Sequence, residues 1–234
     1  GELAKWEFAR TGKRTRLISA DSGWDPVEDL VISPGNPGGI IEAVNVQYLQ
    51  NPFPVLCKMG EGYWPKLDDK HEPVMVAPGK YLMTRQYDMD NRFGLYCIEG
   101  LATLANMLMQ DHIRNLRKIA QDIVGDFTSQ VDIEAPDGKR SSEVLKFGKQ
   151  GQAHYGHVQD YLLLDLVPRF ATLPVSRVVW TSHEAKGDDD ISGIKSSVLG
   201  PATIGKAAVP KTAQKFGDTF HLVKVLKSRV NPAT

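Results

Sequence analysis

Apolar positions open the chain at helical spacing: Leu3 and Trp6 lie three apart, Ala4 and Phe8 four apart, with Glu2, Lys5 and Glu7 between them. The pattern predicts a helix that stops at Thr11-Gly12, then a strand, "RTRLISAD", ending on the acidic Asp21. Helix, tight glycine turn and strand together suit half of a βαβ unit. Residues 22–39 read as loop with a short helical turn over 26–30, and residues 39–50 as strand toward their end. Residues 51–80 mix Pro, Gly and charge and predict irregular surface structure; "KYLMTRQY" fits a short strand or the end of a helix.

The pattern sharpens after residue 92. A short apolar run over 93–98 closes on Glu99-Gly100, and Leu101, Leu104, Leu108, Ile113, Leu116 and Ile119 follow at mostly three- and four-residue steps. This is a buried strand that feeds an amphipathic helix through an acidic residue. Residues 126–153 form a polar insertion, a helix resumes near Tyr155, and "SRVVWTSHE" is a strand with a polar end. The tail has short alternating runs split by Gly and Pro and reads as terminal β-hairpins, with residues 184–217 as a long loop. The expected class is α/β over a single domain, residues 1–234, with no internal repeat.

Charge and cysteine content narrow the classes. Lys plus Arg and Asp plus Glu number 28 each, so the net charge is zero and coating of duplex DNA by charge alone is disfavoured. Cys57 and Cys97 sit in hydrophobic settings and are read as buried reduced thiols rather than a disulfide or metal pair. No run approaches the ~18 apolar residues of a membrane span, and the expected compartment is cytoplasmic.

"ARTGKRTRL", residues 9–17, imitates a phosphate-binding loop through Gly12-Lys13 and Thr15. The full pattern G-x-x-x-x-G-K-[ST] needs a glycine where Glu7 stands and a hydroxyl where Arg14 stands. The order is inverted as well, because such a loop follows a strand and opens a helix. This stretch is a turn.

The candidate chemistry lies at strand ends. Glu99 fits a carboxylate that holds Mg²⁺ directly or through water, or else an acid interacting with a helix dipole. A rival acid, Asp165 in "YLLLD", falls on a helical face with Val158, Leu162, Leu163, Leu166, Val167 and Phe170 and is assigned to a helix. Thr181, Ser182, His183 and Glu184 end the "VVWTSHE" strand, where open α/β sheets bind ligands; the alternative is solvent-facing polar residues. His154, His157 and Asp160 at three-residue spacing are either a metal face or helix-surface residues. A Ser-His-Asp hydrolase lacks the G-x-S-x-G elbow.

"FARTGKRTRLISAD", "GLYCIEGLATLANML", "YGHVQDYLLLDLVPRFATLPVSRVVWTSHE" and "LGPATIGKA", in that order, resemble phage-encoded RecA-like ATPases, P-loop proteins found among phage recombination and replication genes. The resemblance implies a RecA-like core: a mostly parallel central sheet flanked by helices, with antiparallel C-terminal strands beginning at "LGPATIGKA". It implies Glu99 as the Mg²⁺-holding Walker B acid and Ser182 with His183 as the sensor. Asp21 and Thr181 would lie at the nucleotide edge. ATP and Mg²⁺ are the implied cofactors, and single-stranded DNA, further copies of the chain and no membrane are the implied partnership. DNA would meet Lys186, Lys195, Lys206, Lys211 and Lys215, among which Asp188, Asp189 and Asp190 intervene. The sequence departs from the family in two ways. Glu99 stands where Asp is usual, and the Walker A loop is missing, which leads us to expect it upstream of Gly1 in a longer chain. The alternative expectation is a non-catalytic nucleotide-fold module for assembly or binding.

Overall fold

A computed structural model of the chain describes residues 1–21, 25–85, 93–124, 131–134, 140–143, 152–175, 177–191, 194–203, 211–212, 214–216 and 218. The order begins with helix α1 (Glu2–Thr11), strand β1 (Arg14–Ser19), a 3-10 turn (Asp25–Leu30), β2 (Ile41–Asn45), a second 3-10 turn (Val46–Tyr48) and α2 (Pro52–Gly60). Four short strands follow: β3 (Tyr63–Pro65), β4 (Met75–Ala77), β5 (Lys80–Tyr81) and β6 (Met83–Arg85). Then come β7 (Phe93–Glu99), α3 (Leu101–Val124), β8 (Val131–Glu134), β9 (Arg140–Glu143) and α4 (Gln152–Asp160). A π-helical stretch (Tyr161–Leu166) runs into α5 (Val167–Ala171), and β10 (Arg177–Trp180), β11 (Glu184–Ile191) and β12 (Ile194–Pro201) complete the described elements.

The centre is a four-stranded parallel sheet in the order β10-β7-β1-β2. In-register rows show why both faces are apolar. Leu17, Ala43 and Cys97 form one row, and Ile18, Val44, Ile98 and Trp180 the next. The first row faces α1 and the first 3-10 turn, in a small core of Ala4, Leu17, Val31, Ile41 and Ala43. The second faces α2, α3 and the α4–α5 segment, in a larger core that includes Leu56, Met59, Leu104, Met109, Leu162 and Phe170. A parallel sheet covered on both sides needs such continuous apolar strands. The chain is therefore a mixed α/β protein with a parallel sheet between helices.

Chain order places a reversal in this sheet. From β1 the chain goes to β2 on one side; it then returns to β7 on the other side of β1 and continues outward to β10. The switch point is the crevice between β1 and β7, where open α/β sheets bind their ligands beyond the strand carboxyl ends.

The first helix, β1, β7, α3 and β10 lie where the sequence pattern puts them. Gly12 ends α1 in the left-handed region (φ 68°), its N–H bonded to the Phe8 carbonyl. Other expectations need correction. Residues 51–80 are not wholly irregular, because α2 occupies 52–60. Its prolines sit in the first turn, where no N–H bond is lost, and Phe53, Val55, Leu56 and Met59 bury its inner face. The strand in 39–50 comes at its start, and the end turns into the 3-10 segment. Residues 184–201, expected as the first half of a long loop, form the antiparallel β11–β12 ribbon, in which Asp190 is opposite Lys195 and Asp189 opposite Ser196. An acidic run without apolar alternation hides such a ribbon from pattern reading. Among the described residues no helix is long and apolar enough to cross a membrane.

Arg16 locks the sheet to the larger core. It is 1% exposed, ion-paired to Glu42 across β2 at 3.1 Å and bonded to the Tyr96 hydroxyl at 2.6 Å. Its guanidinium lies 3.9 Å from the Phe93 ring centre and 4.3 Å from that of Trp64. Planar delocalised charge suits this aromatic box, which an ammonium would not fill. Arg16→Ala should cost about 3 kcal/mol, because it empties the box and leaves polar groups unpaired. Urea unfolding measures this, and a loss under about 1 kcal/mol would show that the box contributes little.

Candidate functional site

Three strands deliver polar residues to one edge. Asn45, Ser19 and Glu99 are the last residues of β2, β1 and β7 and stand in register. They continue the Leu17 row, so they lie on the α1 side of the sheet. The Ser19 hydroxyl is fully buried, 3.1 Å from Glu99 Oε2 and 3.0 Å from the Asp21 carbonyl. Asn45 Nδ2 donates to that same carbonyl at 3.1 Å, and the Ala20 N–H to the Glu99 carbonyl. The Asp21 carboxylate accepts a hydrogen bond from the Thr103 hydroxyl, in the first turn of α3. Both Asp21 and Glu99 are half-buried and reach solvent at the switch point.

Gly100 makes this arrangement possible. Its φ of +84° turns the chain from β7 into α3, and a Cβ there would lie 2.8 Å from the Asp21 carboxylate. The backbone must pass this close for Thr103 to reach Asp21. Helix α1 turns back into β1 through Gly12 and Lys13, so its amino end lies at the same edge. A Cβ on Gly1 would touch Val27, in the 3-10 turn that follows Asp21. The start of α1, which has no side-chain cap among the described residues, and two carboxylates with hydroxyl partners therefore share one rim. Hard oxygen donors of this kind suit Mg²⁺ or Ca²⁺, and helix-start N–H groups suit an anion.

The residues expected at the site divide into two groups. Asp21 and Glu99 come together. Thr181 joins them through the backbone: its N–H bonds to Ile98, and its carbonyl accepts from the Leu101 N–H at the start of α3. The Ser182 hydroxyl and the His183 carbonyl are engaged in the ribbon, while the His183 side chain is exposed. The Ser182 hydroxyl donates to the Ala202 carbonyl at 2.6 Å, and the His183 carbonyl accepts from the Ala202 N–H, so this pair fastens the β11–β12 ribbon. Of the basic residues, Lys186 and Lys195 lie on β11 and β12, opposite Leu199 and Asp190. Lys211 and Lys215 are exposed, and Lys206 lies outside the described residues. Asp165 belongs to the π-helical stretch and pairs with Arg169 at 2.9 Å, in keeping with its helical assignment. His154, His157 and Asp160 lie on α4, and among the described residues no group of three His, Cys, Asp or Glu is arranged to hold a metal.

Cys57 and Cys97 are free thiols, both half-buried. Burial first, and the nearby Glu99 charge second, push the Cys97 thiol up to about 11. Beside Glu99, Cys97 is thus an inert packing residue rather than a nucleophile.

Sequence reading missed Ser19, Asn45, Gly100 and Thr103. Their only local signal is polarity or glycine at an element boundary. The stretch from Gly200 to Lys206 has the spacing G-x-x-x-x-G-K but is followed by Ala207 instead of a hydroxyl residue. Gly200 and Pro201 end β12, paired antiparallel with Ala185 and Glu184, and residues 204–210 lie outside the described residues.

Comparison with family models, curated proteins and solved structures gave no match, so the site stands on its own geometry. Gly100→Ala should destabilise the fold by about 1–3 kcal/mol, from a left-handed backbone and the clash with Asp21. Thermal unfolding reads this; an unchanged midpoint would mean that the β7–α3 turn does not constrain Asp21.

Proposed function

We propose that the chain is a RecA-like nucleotide-binding domain of phage type that binds and hydrolyses ATP with Mg²⁺ in DNA recombination or replication. One observation carries the reading: Asp21 and Glu99 meet at the switch point of a parallel sheet, at the edge where α1 begins. The family resemblance of the sequence blocks adds to it.

In this reading Glu99, from the central strand β7, is the main Mg²⁺-holding acid, and Ser19 fixes its orientation. Asp21, oriented by Thr103, is placed to accept a proton from an attacking water or to hold a metal-bound water. When bound, Mg²⁺ would neutralise charge developing on the phosphates. The helix-start N–H groups of α1 would face the phosphates. The full pattern G-x-x-x-x-G-K-[ST] does not occur in residues 1–234, so the reading requires that another loop complete the phosphate cradle. The Ser182 hydroxyl has a structural task in the ribbon and is a weaker sensor candidate than His183, whose side chain is exposed, or Thr181, whose backbone is tied to β7. Single-stranded DNA and neighbouring copies are the proposed partners, with the exposed Lys211 and Lys215 as basic contacts.

A second reading, a non-catalytic module on the same fold, is favoured by the hydroxyl partner that each carboxylate already has. The two separate in one experiment on the full-length encoded protein: Mg-ATP binding and turnover, with and without single-stranded DNA. The nucleotide reading expects turnover, reduced at least about 100-fold by Glu99→Gln with the fold intact. Absence of both binding and turnover would overturn it in favour of the module.

A further inference from the structure

Three imidazoles meet between α3 and α4, away from the acidic rim. His112 Nε2, from α3, lies 3.2 Å from His154 Nδ1, from α4. His157, one turn beyond His154, stacks on the His112 ring with centres 4.2 Å apart and planes at 25°. Among the described residues no carboxylate is bonded to any of the three rings. Burial, helped by the two neighbouring rings and opposed by Asp111, lowers the proton affinity of His112.

A nitrogen–nitrogen separation of 3.2 Å has two chemical meanings. It is a long N–H···N hydrogen bond, or it is the span between two ligands each about 2.0–2.1 Å from one ion. The stacked His157 has its ring face, not a nitrogen, against His112, which agrees with the lack of any three-ligand group. Its contribution is to hold the His112 ring in place. Imidazole prefers borderline-soft ions over Mg²⁺, so such a site would not compete with Asp21 and Glu99 for the same metal.

We propose that His112 and His154 form a two-nitrogen site for a late first-row divalent ion such as Zn²⁺, completed by water, that clamps α3 to α4. This site is independent of the nucleotide reading. The terminal torsion of a histidine ring is broad, and rotation about it in both residues would aim the two lone pairs at one point.

The test is calorimetric titration of the protein with zinc chloride alone, at neutral pH and with excess Mg²⁺ present. The expected result is one Zn²⁺ per chain, with affinity lowered at least about tenfold in both His112→Asn and His154→Asn. His112→Cys, which supplies another zinc donor, should retain binding, and this guards against loss through misfolding. His157→Asn should weaken binding less than either. No zinc binding by the unaltered protein, or an affinity in both Asn variants equal to that of the unaltered protein, would overturn the proposal and leave the contact as a hydrogen bond.

Discussion

Parallel pairing of β1 with β7 is the constraint on which the rest depends. Residues 14–19 and 93–99 are far apart in sequence, and their alignment sets three things together. It creates the chain reversal, brings Ser19 opposite Glu99, and lets the Ala20 N–H extend the ladder to the rim. Slippage by one residue would turn Glu99 toward the larger core and Ile98 toward α1. The apolar rows of both strands oppose such a slip, so hydrophobic burial fixes the register that places the acids.

Electrostatic ties reinforce the same alignment from opposite sides of the sheet. Arg16 joins β1 to β2 through Glu42 and to β7 through Tyr96. On the α1 side, the buried Glu7 pairs with Arg10 at 3.2 Å and with Arg177 of β10 at 3.6 Å. Each guanidinium also lies over the Trp6 ring. Buried charges kept in this way do little for net stability but tolerate few alternative packings. The helix is thereby held with its amino end at the acidic rim.

What the sequence shows of this arrangement follows the range of each interaction. Helix α1, β1, β7 and α3 are visible because their apolar spacing is local and regular. Asp21 and Glu99 stand out because an acid closing an apolar run is unusual. Ser19, Asn45 and Thr103 are not visible, because polar residues at element ends are common and the partners lie up to 82 residues away. Helix α2 is obscured by prolines whose first-turn position makes them harmless. His112 and His154 sit on separate helices, and only packing reveals their contact. Ser182 and His183 carry the opposite lesson. Their place beyond a core strand suggests chemistry, and the Ser182 hydroxyl and the His183 carbonyl also tie the ribbon through Ala202, a contact that no local pattern shows.

In the proposed nucleotide reading, Asp21 and Glu99 hold one cation at the switch point. Crystals grown with Mn²⁺ would test it most directly, because anomalous scattering locates that ion without ambiguity. The account predicts a peak about 2.0–2.6 Å from a carboxylate oxygen of Glu99, with Asp21 bound directly or through one water. Mn²⁺ found only elsewhere, with the Ser19–Glu99 and Thr103–Asp21 bonds unchanged, would contradict it.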